Sequence, residues 1–273
     1  MQKVDGRLIA SKIIEKLKGR PVPNKILAAV LVGNDKASQS FLKVKEGVAS
    51  DLGIRFDIYQ LSDLVTQDDL EEKVKKISND SNVGGIIVQL PLPKKFDREK
   101  VLNYINPKKD VDALTAGALV ESPVIGVIKE ILDYMSISSL KDLKIVVVGR
   151  GRLVGQPVIK WLERENSCLP VGMVKFKVAD SKTKNLAQFL SNADLIITGV
   201  GNPPAGGGLI NPEWLKEGAG IIDFGFPPDL DILKIDPPAG GLNSKLGFYT
   251  PTPGGTGPIL VAKLFENFYK LND

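Results

Sequence analysis

The chain has no histidine in 273 residues. That removes the commonest general base near neutral pH and the commonest metal ligand. Any proton transfer must therefore fall to lysine, aspartate, glutamate, tyrosine or water, and no metal centre is expected. A single cysteine, Cys168, excludes an intramolecular disulfide and any multi-cysteine zinc site. Such scarcity suits a reducing interior, so a cytoplasmic location is expected. Long hydrophobic runs are also missing: none approaches the ~18 residues that cross a bilayer, and no membrane partner is expected. The first residues, MQKVDGRLIASKII, carry charges within their apolar stretch, unlike a secretory leader. Excess charge is slight, at +4 and dispersed, which argues against nucleic acid and leaves anionic small molecules as partners. No internal repeat or low-complexity tract is present. What remains, 43% hydrophobic and 25% charged residues, is the composition of a globular protein long enough for two cores.

Strand and helix patterns alternate along the chain. Helical spacing spans residues 7–17, and ILAAVLV (26–32) is a continuous apolar run expected of a strand covered on both faces. A helix over 37–52, a strand over 54–61 and a helix to 77 opened by a Thr66–Asp69 capping box come next. A strand over 85–90 and a helix to 105 capped by Asp97 lead to an acidic loop, 108–113. A helix over 125–134 precedes the strand 145–148, a glycine turn and another helix. Beyond these are strands at 174–179, 194–200 and 221–224, helices at 184–190 and 211–218, and an amphipathic helix over 258–271. The pattern predicts two doubly wound α/β units with parallel sheets. The expected division gives residues 1–120 with the helix 257–273 to a substrate domain, and 121–256 to a Rossmann-like domain, with the ligand cleft between them.

In such sheets ligands bind beyond the carboxyl ends of the strands. Polar or glycine clusters fall at four such ends: Gly33-Asn34, Gln89, Gly149 to Arg152, and Gly199 to Asn202. The third carries the glycines 149, 151 and 155 between a β-branched strand and a helix, the arrangement that turns backbone N–H groups and a helix dipole toward a phosphate. The same turn could also serve a fold with no ligand. Phe41 and Lys45, four apart, share one helix face. By spacing alone Phe41 reads as a core aromatic and Lys45 equally as a solvated lysine. Gln89 either satisfies the following turn or faces a ligand. Asp110 and Asp112 flank Val111 and would point the same way in an extended segment.

ASQSFLKVK (37–45), GGIIVQLPLP (84–93), PKKDVDA (107–113), VVVGRGRLVGQP (146–157) and TPTPGGTGP (250–258) resemble, in order and spacing, the tetrahydrofolate dehydrogenase/cyclohydrolase family. The resemblance spans nearly the whole chain. It implies oxidation of 5,10-methylenetetrahydrofolate with NADP and hydrolysis of the methenyl product to 10-formyltetrahydrofolate, in a homodimer. Lys45 falls on the family's catalytic lysine, Gln89 on the glutamine that hydrogen-bonds it, and Asp112 on the aspartate that grips the pterin. Substrate contacts are implied for Phe41, Val88, Leu90, Pro91, Pro253, Gly254 and Gly255. Cofactor contacts are implied for Gly149, Arg150, Gly151, Val154, Gly155, Pro157, Asp180, Ser181, Gly199, Gly201 and Phe226.

The chain departs from the family pattern in places. Phe41 replaces a tyrosine on the lysine's helix, and Ala113 stands where glycine follows the DVD block. Gly151-Arg152 stands where serine and another residue are usual. Arg150 and Ser181 match residues associated with the 2′-phosphate of NADP. Asp180, however, ends the second strand of the nucleotide unit, where an acid binds the ribose 2′-hydroxyl of NAD. NADP is expected, with NAD as the alternative. A monofunctional NAD-dependent dehydrogenase with little hydrolytic activity, and a non-catalytic folate- or nucleotide-binding protein, are the competing readings.

Overall fold

The structure, a computed structural model, describes residues 1–167, 174–201, 208–235 and 245–273. Cys168 and Asn202 lie outside the described residues. In chain order the elements are β1 (Gln2–Lys3), α1 (Gly6–Lys18), β2 (Ile26–Val32), α2 (Lys36–Asp51), β3 (Arg55–Leu61), α3 (Gln67–Asn79), β4 (Val83–Val88) and α4 (Arg98–Leu102). There follow α5 (Pro123–Tyr134), β5 (Lys144–Val148), α6 (Gly155–Ser167), β6 (Lys175–Ala179), α7 (Leu186–Leu190), β7 (Leu195–Thr198), β8 (Gly220–Asp223), β9 (Phe248–Tyr249) and α8 (Thr256–Leu271). Two compact units result: residues 10–123 with 261–273, and residues 1–9 with 124–260.

The first unit holds a three-stranded sheet in the order β3-β2-β4, all parallel. The apolar run of β2 is buried on both faces, as its composition predicts. Ala28, Val30 and Val32 pack with Leu70, Val74 and Ile77 of α3 and with Val101 and Leu102 of α4. On the alternate face α8 comes very close to β4. A Cβ on Gly85 would stand 2.7 Å from Phe268 and 2.8 Å from Val111, so only glycine permits that approach. Because β2 is central and β3 and β4 lie to either side of it, the order of the strands reverses between β2 and β4. Gln89 stands at that reversal, its N–H donating to the Val30 carbonyl at 2.9 Å. The Thr66–Asp69 capping box and the Asp97 cap form as the sequence predicts.

The second unit is a six-stranded parallel sheet, β1-β9-β8-β7-β5-β6. From β5 onward the order is that of a doubly wound nucleotide fold, with the reversal between β5 and β7. Its core joins Val146, Val148, Ile196 and Ile221 of the strands to Leu190 and Tyr249. The first nine residues cluster here and not with the substrate unit expected from the sequence, because β1 pairs with β9 at the sheet edge. Strands of two residues carry no periodic signal, and neither was read from the sequence. The helix expected over 211–218 is one 3-10 turn, Pro212–Trp214. Asn211 caps it, but Leu215 is already extended and buried, so burial of that leucine ends the turn.

Candidate active site

Asp35 caps the start of α2 by accepting from the Ser38 N–H at 2.8 Å. That fixes the phase of a helix whose buried stripe includes Leu42, Lys45 and Ala49. A lysine in this stripe, 4% exposed, is costly unless its nitrogen finds a partner. Lys45 Nζ donates to Gln89 Oε1 at 3.1 Å, and the other end of the amide donates through Nε2 to the Leu90 carbonyl at 2.8 Å. Gln89 thus anchors the turn, one of the two roles its sequence position left open, and it also partners Lys45. Phe41, one turn earlier, places its ring centre 5.1 Å from Nζ.

Asp112 acts electrostatically on the same lysine. Burial pushes the Lys45 ammonium below its ordinary value, opposed by the charge of Asp112. Burial likewise raises the Asp112 carboxyl; Lys45 opposes the shift and Asp110 adds to it. Asp110 itself is fully buried, its Oδ2 accepting from the Thr115 N–H at 2.6 Å. The loop is held from outside by Asn267 of α8, whose Nδ2 donates to the Val111 carbonyl at 2.9 Å. Ala113, immediately after Asp112, adopts φ = 53°, the left-handed region in which glycine is least strained.

Of the other sequence-named substrate residues, Leu90 is half-buried and Pro91 exposed beside Gln89. Val88 points into the β-sheet core, leaving only its backbone for any ligand. Pro253, Gly254 and Gly255 belong to the second unit, where the Gly6 N–H donates to the Gly254 carbonyl at 3.0 Å.

In the second unit the turn after β5 is held tightly. Gly149 has φ = 98°, and a Cβ on Gly155 would lie 2.3 Å from the Gly149 carbonyl oxygen. The start of α6 can close on the turn only without side chains there. Gly151, by contrast, faces open space. Val154 packs where a Cβ on Gly199 would stand, 2.7 Å away, while Pro157 lies in the first turn of α6. Arg150 Nε donates to Asp180 Oδ2 at 3.0 Å; Ser181 beside it is exposed. Asp180 Oδ1 also accepts from the Lys182 N–H at 2.9 Å, and these two donors, the backbone one foremost, hold its carboxyl below the usual range. Leu153, Val200 and Phe226 leave apolar surface exposed at this end of the sheet. Exposed apolar side chains beside a glycine turn and a helix N-terminus suit a dinucleotide, whose phosphates need N–H groups and whose rings need flat contacts.

Sequence reasoning missed two buried acids here, Asp223 and Asp229. Asp223 ends a strand and Asp229 follows two prolines, positions where solvated acids are common. The donors that mark Asp229 come from a segment 28 to 31 residues away, which no local pattern shows.

A family model described as the tetrahydrofolate dehydrogenase/cyclohydrolase catalytic domain matches residues 4–112, and one described as that family's NAD(P)-binding domain matches residues 123–273. The bifunctional protein FolD of Staphylococcus aureus is 35% identical over 282 residues, covering 97% of this chain and 94% of that protein. Among solved structures, the bifunctional FolD of Campylobacter jejuni matches with a TM-score of 0.85 at 29% identity, covering 100% of this chain and 98% of the other. FolD of Trypanosoma brucei, solved with NADP cofactor and an inhibitor, matches with a TM-score of 0.84 at 27% identity, covering 99% and 96%.

Proposed function

The chain belongs to the tetrahydrofolate dehydrogenase/cyclohydrolase family, and we propose that it oxidises 5,10-methylenetetrahydrofolate with NADP and hydrolyses the methenyl product to 10-formyltetrahydrofolate. The observation that carries this reading is the buried Lys45 bonded to Gln89. A purely structural lysine would be expected at the surface, whereas one depressed by burial can exist partly as the free amine. In the hydrolytic step Lys45 takes a proton from water as the water oxygen bonds the methenyl carbon and the C=N π electrons return to nitrogen. The ammonium then gives a proton to N5 as the C–N5 bond breaks, and the hydroxyl loses its proton to solvent to leave the 10-formyl carbonyl. Gln89 keeps the amine aimed through its Oε1, and Asp112 holds the pterin by its carboxyl. The absence of histidine costs this chemistry nothing.

The dinucleotide, when bound, accepts the hydride of the methylene carbon. The protein's part in that step is positioning and electrostatics. The turn between Gly149 and Gly155 would hold the diphosphate, and Arg150 with Ser181 would take the adenosine ribose. The NADP bound in the Trypanosoma brucei structure supports the same cofactor here.

Steady-state kinetics of both half-reactions, each with NADP and with NAD, test the proposal. Turnover of methylenetetrahydrofolate with NADP and hydrolysis of the methenyl form are the expected results; turnover with neither cofactor would refute it. A second reading, a NAD-dependent dehydrogenase with weak hydrolysis, is favoured by Asp180 and Phe41 and is decided by the same measurements. We also propose a cytoplasmic homodimer, supported by the single cysteine and the family resemblance and tested by light scattering. Among the described residues no helix is long and apolar enough to cross a membrane.

A further inference from the structure

Asp229 is fully buried, yet its side chain serves a different part of the chain from its own loop. Its Oδ2 accepts from the Thr198 hydroxyl and from the Val200 N–H, each at 2.7 Å, and its Oδ1 accepts from the Gly201 N–H at 2.8 Å. Three donors from the last residue of β7 and the turn beyond it thus converge on one carboxyl group. Its backbone carbonyl meanwhile accepts from the Ile210 N–H at 2.8 Å. One residue therefore ties down the chain on both sides of the segment between Gly201 and Gly208.

The loop that carries Asp229 is itself fixed from below. Asp223, at the end of β8, accepts from the Gly225 N–H at 2.6 Å and the Leu230 N–H at 2.9 Å. A Cβ on Gly225 would come 2.8 Å from the Asp229 carboxyl carbon and 2.9 Å from Asp223 Oδ1, so the two acids meet across a glycine. The Asp229-held turn faces the β5–β7 reversal. Val200 contacts the place where a Cβ on Gly149 would stand, 3.1 Å away, and Gly201 lies against the backbone of Phe226.

We infer that Asp229 is a positioning residue for the dinucleotide, setting the Val200–Gly201 backbone at the carboxyl end of β7 against the glycine turn of β5. The inference rests on the cofactor reading of these loops given above. A preorganised loop spares the ligand the cost of ordering it, so the effect falls on cofactor affinity. Hydrolysis of the methenyl substrate consumes no dinucleotide and is built from Lys45, Gln89 and Asp112 in the other unit.

The test is Asp229→Asn in the full chain, assayed for KM of NADP, for kcat, and for methenyl hydrolysis without dinucleotide. The expected result is a rise in the KM of NADP of about tenfold, with hydrolysis retained, since the amide keeps the shape but loses one acceptor. A KM within about twofold of the unaltered protein overturns the inference, as does a parallel fall in kcat and hydrolysis at constant KM, the mark of partial misfolding. Thr198→Val, which removes a single donor, decides the matter if the first variant does not fold. A rise of about threefold in the same KM supports the inference, and no change refutes it. An unaltered protein that reduces neither cofactor refutes the proposed activity instead.

Discussion

The ammonium of Lys45 faces the Phe41 ring from 5.1 Å, on the helix turn where the family places a tyrosine. The ring preserves a flat apolar contact and a cation–π attraction but offers no hydroxyl. A phenol there could donate to, or relay a proton from, the attacking water. Phe41→Tyr is expected to raise kcat for methenyl hydrolysis by about tenfold, a small share of what general acid–base groups contribute. Oxidation of methylenetetrahydrofolate should change less than about twofold, since hydride transfer depends on positioning. Parallel assays of the two half-reactions check the split; equal effects on both would remove the hydroxyl argument.

Lys45 also predicts a pH dependence. Burial lowers its folded-state value below 10.5. The folded chain therefore binds fewer protons at this site than the unfolded chain over the interval between the two values. Stability contributed by Lys45 is present above 10.5 and is lost as pH falls through the depressed value. Hydrolysis needs the free amine, so its kcat should rise with pH through that same depressed value, and Lys45→Met should abolish the limb along with the activity. A pH–rate profile for the variant that keeps the limb would assign it to another group.

The candidate residues stand out in the sequence where they sit at local discontinuities: Gln89 where an apolar strand meets prolines, Gly149 to Gly155 where a strand becomes a helix. Within each unit the parallel sheet puts such a point at the carboxyl ends of its strands. The role of Lys45 was not readable from spacing, since Lys43 two residues away is exposed and has the same composition around it. Only the family pattern singled it out, and burial on α2 gives it a physical reason. Asp229 was invisible because its donors lie 28 to 31 residues away in sequence. Ala113 illustrates a third case. Its φ of 53° shows why glycine is usual after the DVD block, and holding alanine there costs roughly 1 kcal/mol of backbone strain beside Asp112.

Arg150 and Asp180 form an exposed ion pair, which water screens to a weak attraction. A 2′-phosphate offers the guanidinium a stronger, two-pronged acceptor, so Arg150 can exchange partners at little cost. Asp180 then remains as a negative charge beside the phosphate. Asp180→Ser removes it and is expected to raise kcat/KM with NADP by about tenfold while lowering that with NAD, whose ribose hydroxyl loses its acceptor. Kinetics with both cofactors test this. An unchanged NADP-to-NAD ratio would show that Asp180 does not face the ribose.

Asp223 gives a stability prediction of opposite sign to Lys45. Burial, with the neighbouring Asp229 adding to it, pushes its carboxyl up from 3.8 to about 7, against the pull of the Leu230 and Gly225 N–H groups. Between those values the folded chain binds a proton that the unfolded chain has released. Its stabilising contribution is therefore complete below about pH 4 and is lost as pH rises to about 7, a change of no more than about 4 kcal/mol. Asp229 is the charged neighbour that acts on it among the described residues, and the remaining partners are backbone N–H groups and the hydroxyls of Thr250 and Thr256 near the Asp223 backbone. Asp223→Asn holds the position neutral and should flatten the fall in unfolding free energy between pH 5 and pH 7, windows of roughly these values following from the two limits. Urea titrations of both proteins across that interval measure the slope. If the variant loses stability with pH as steeply as the parent, the proton resides elsewhere and the buried acid pair is not its host.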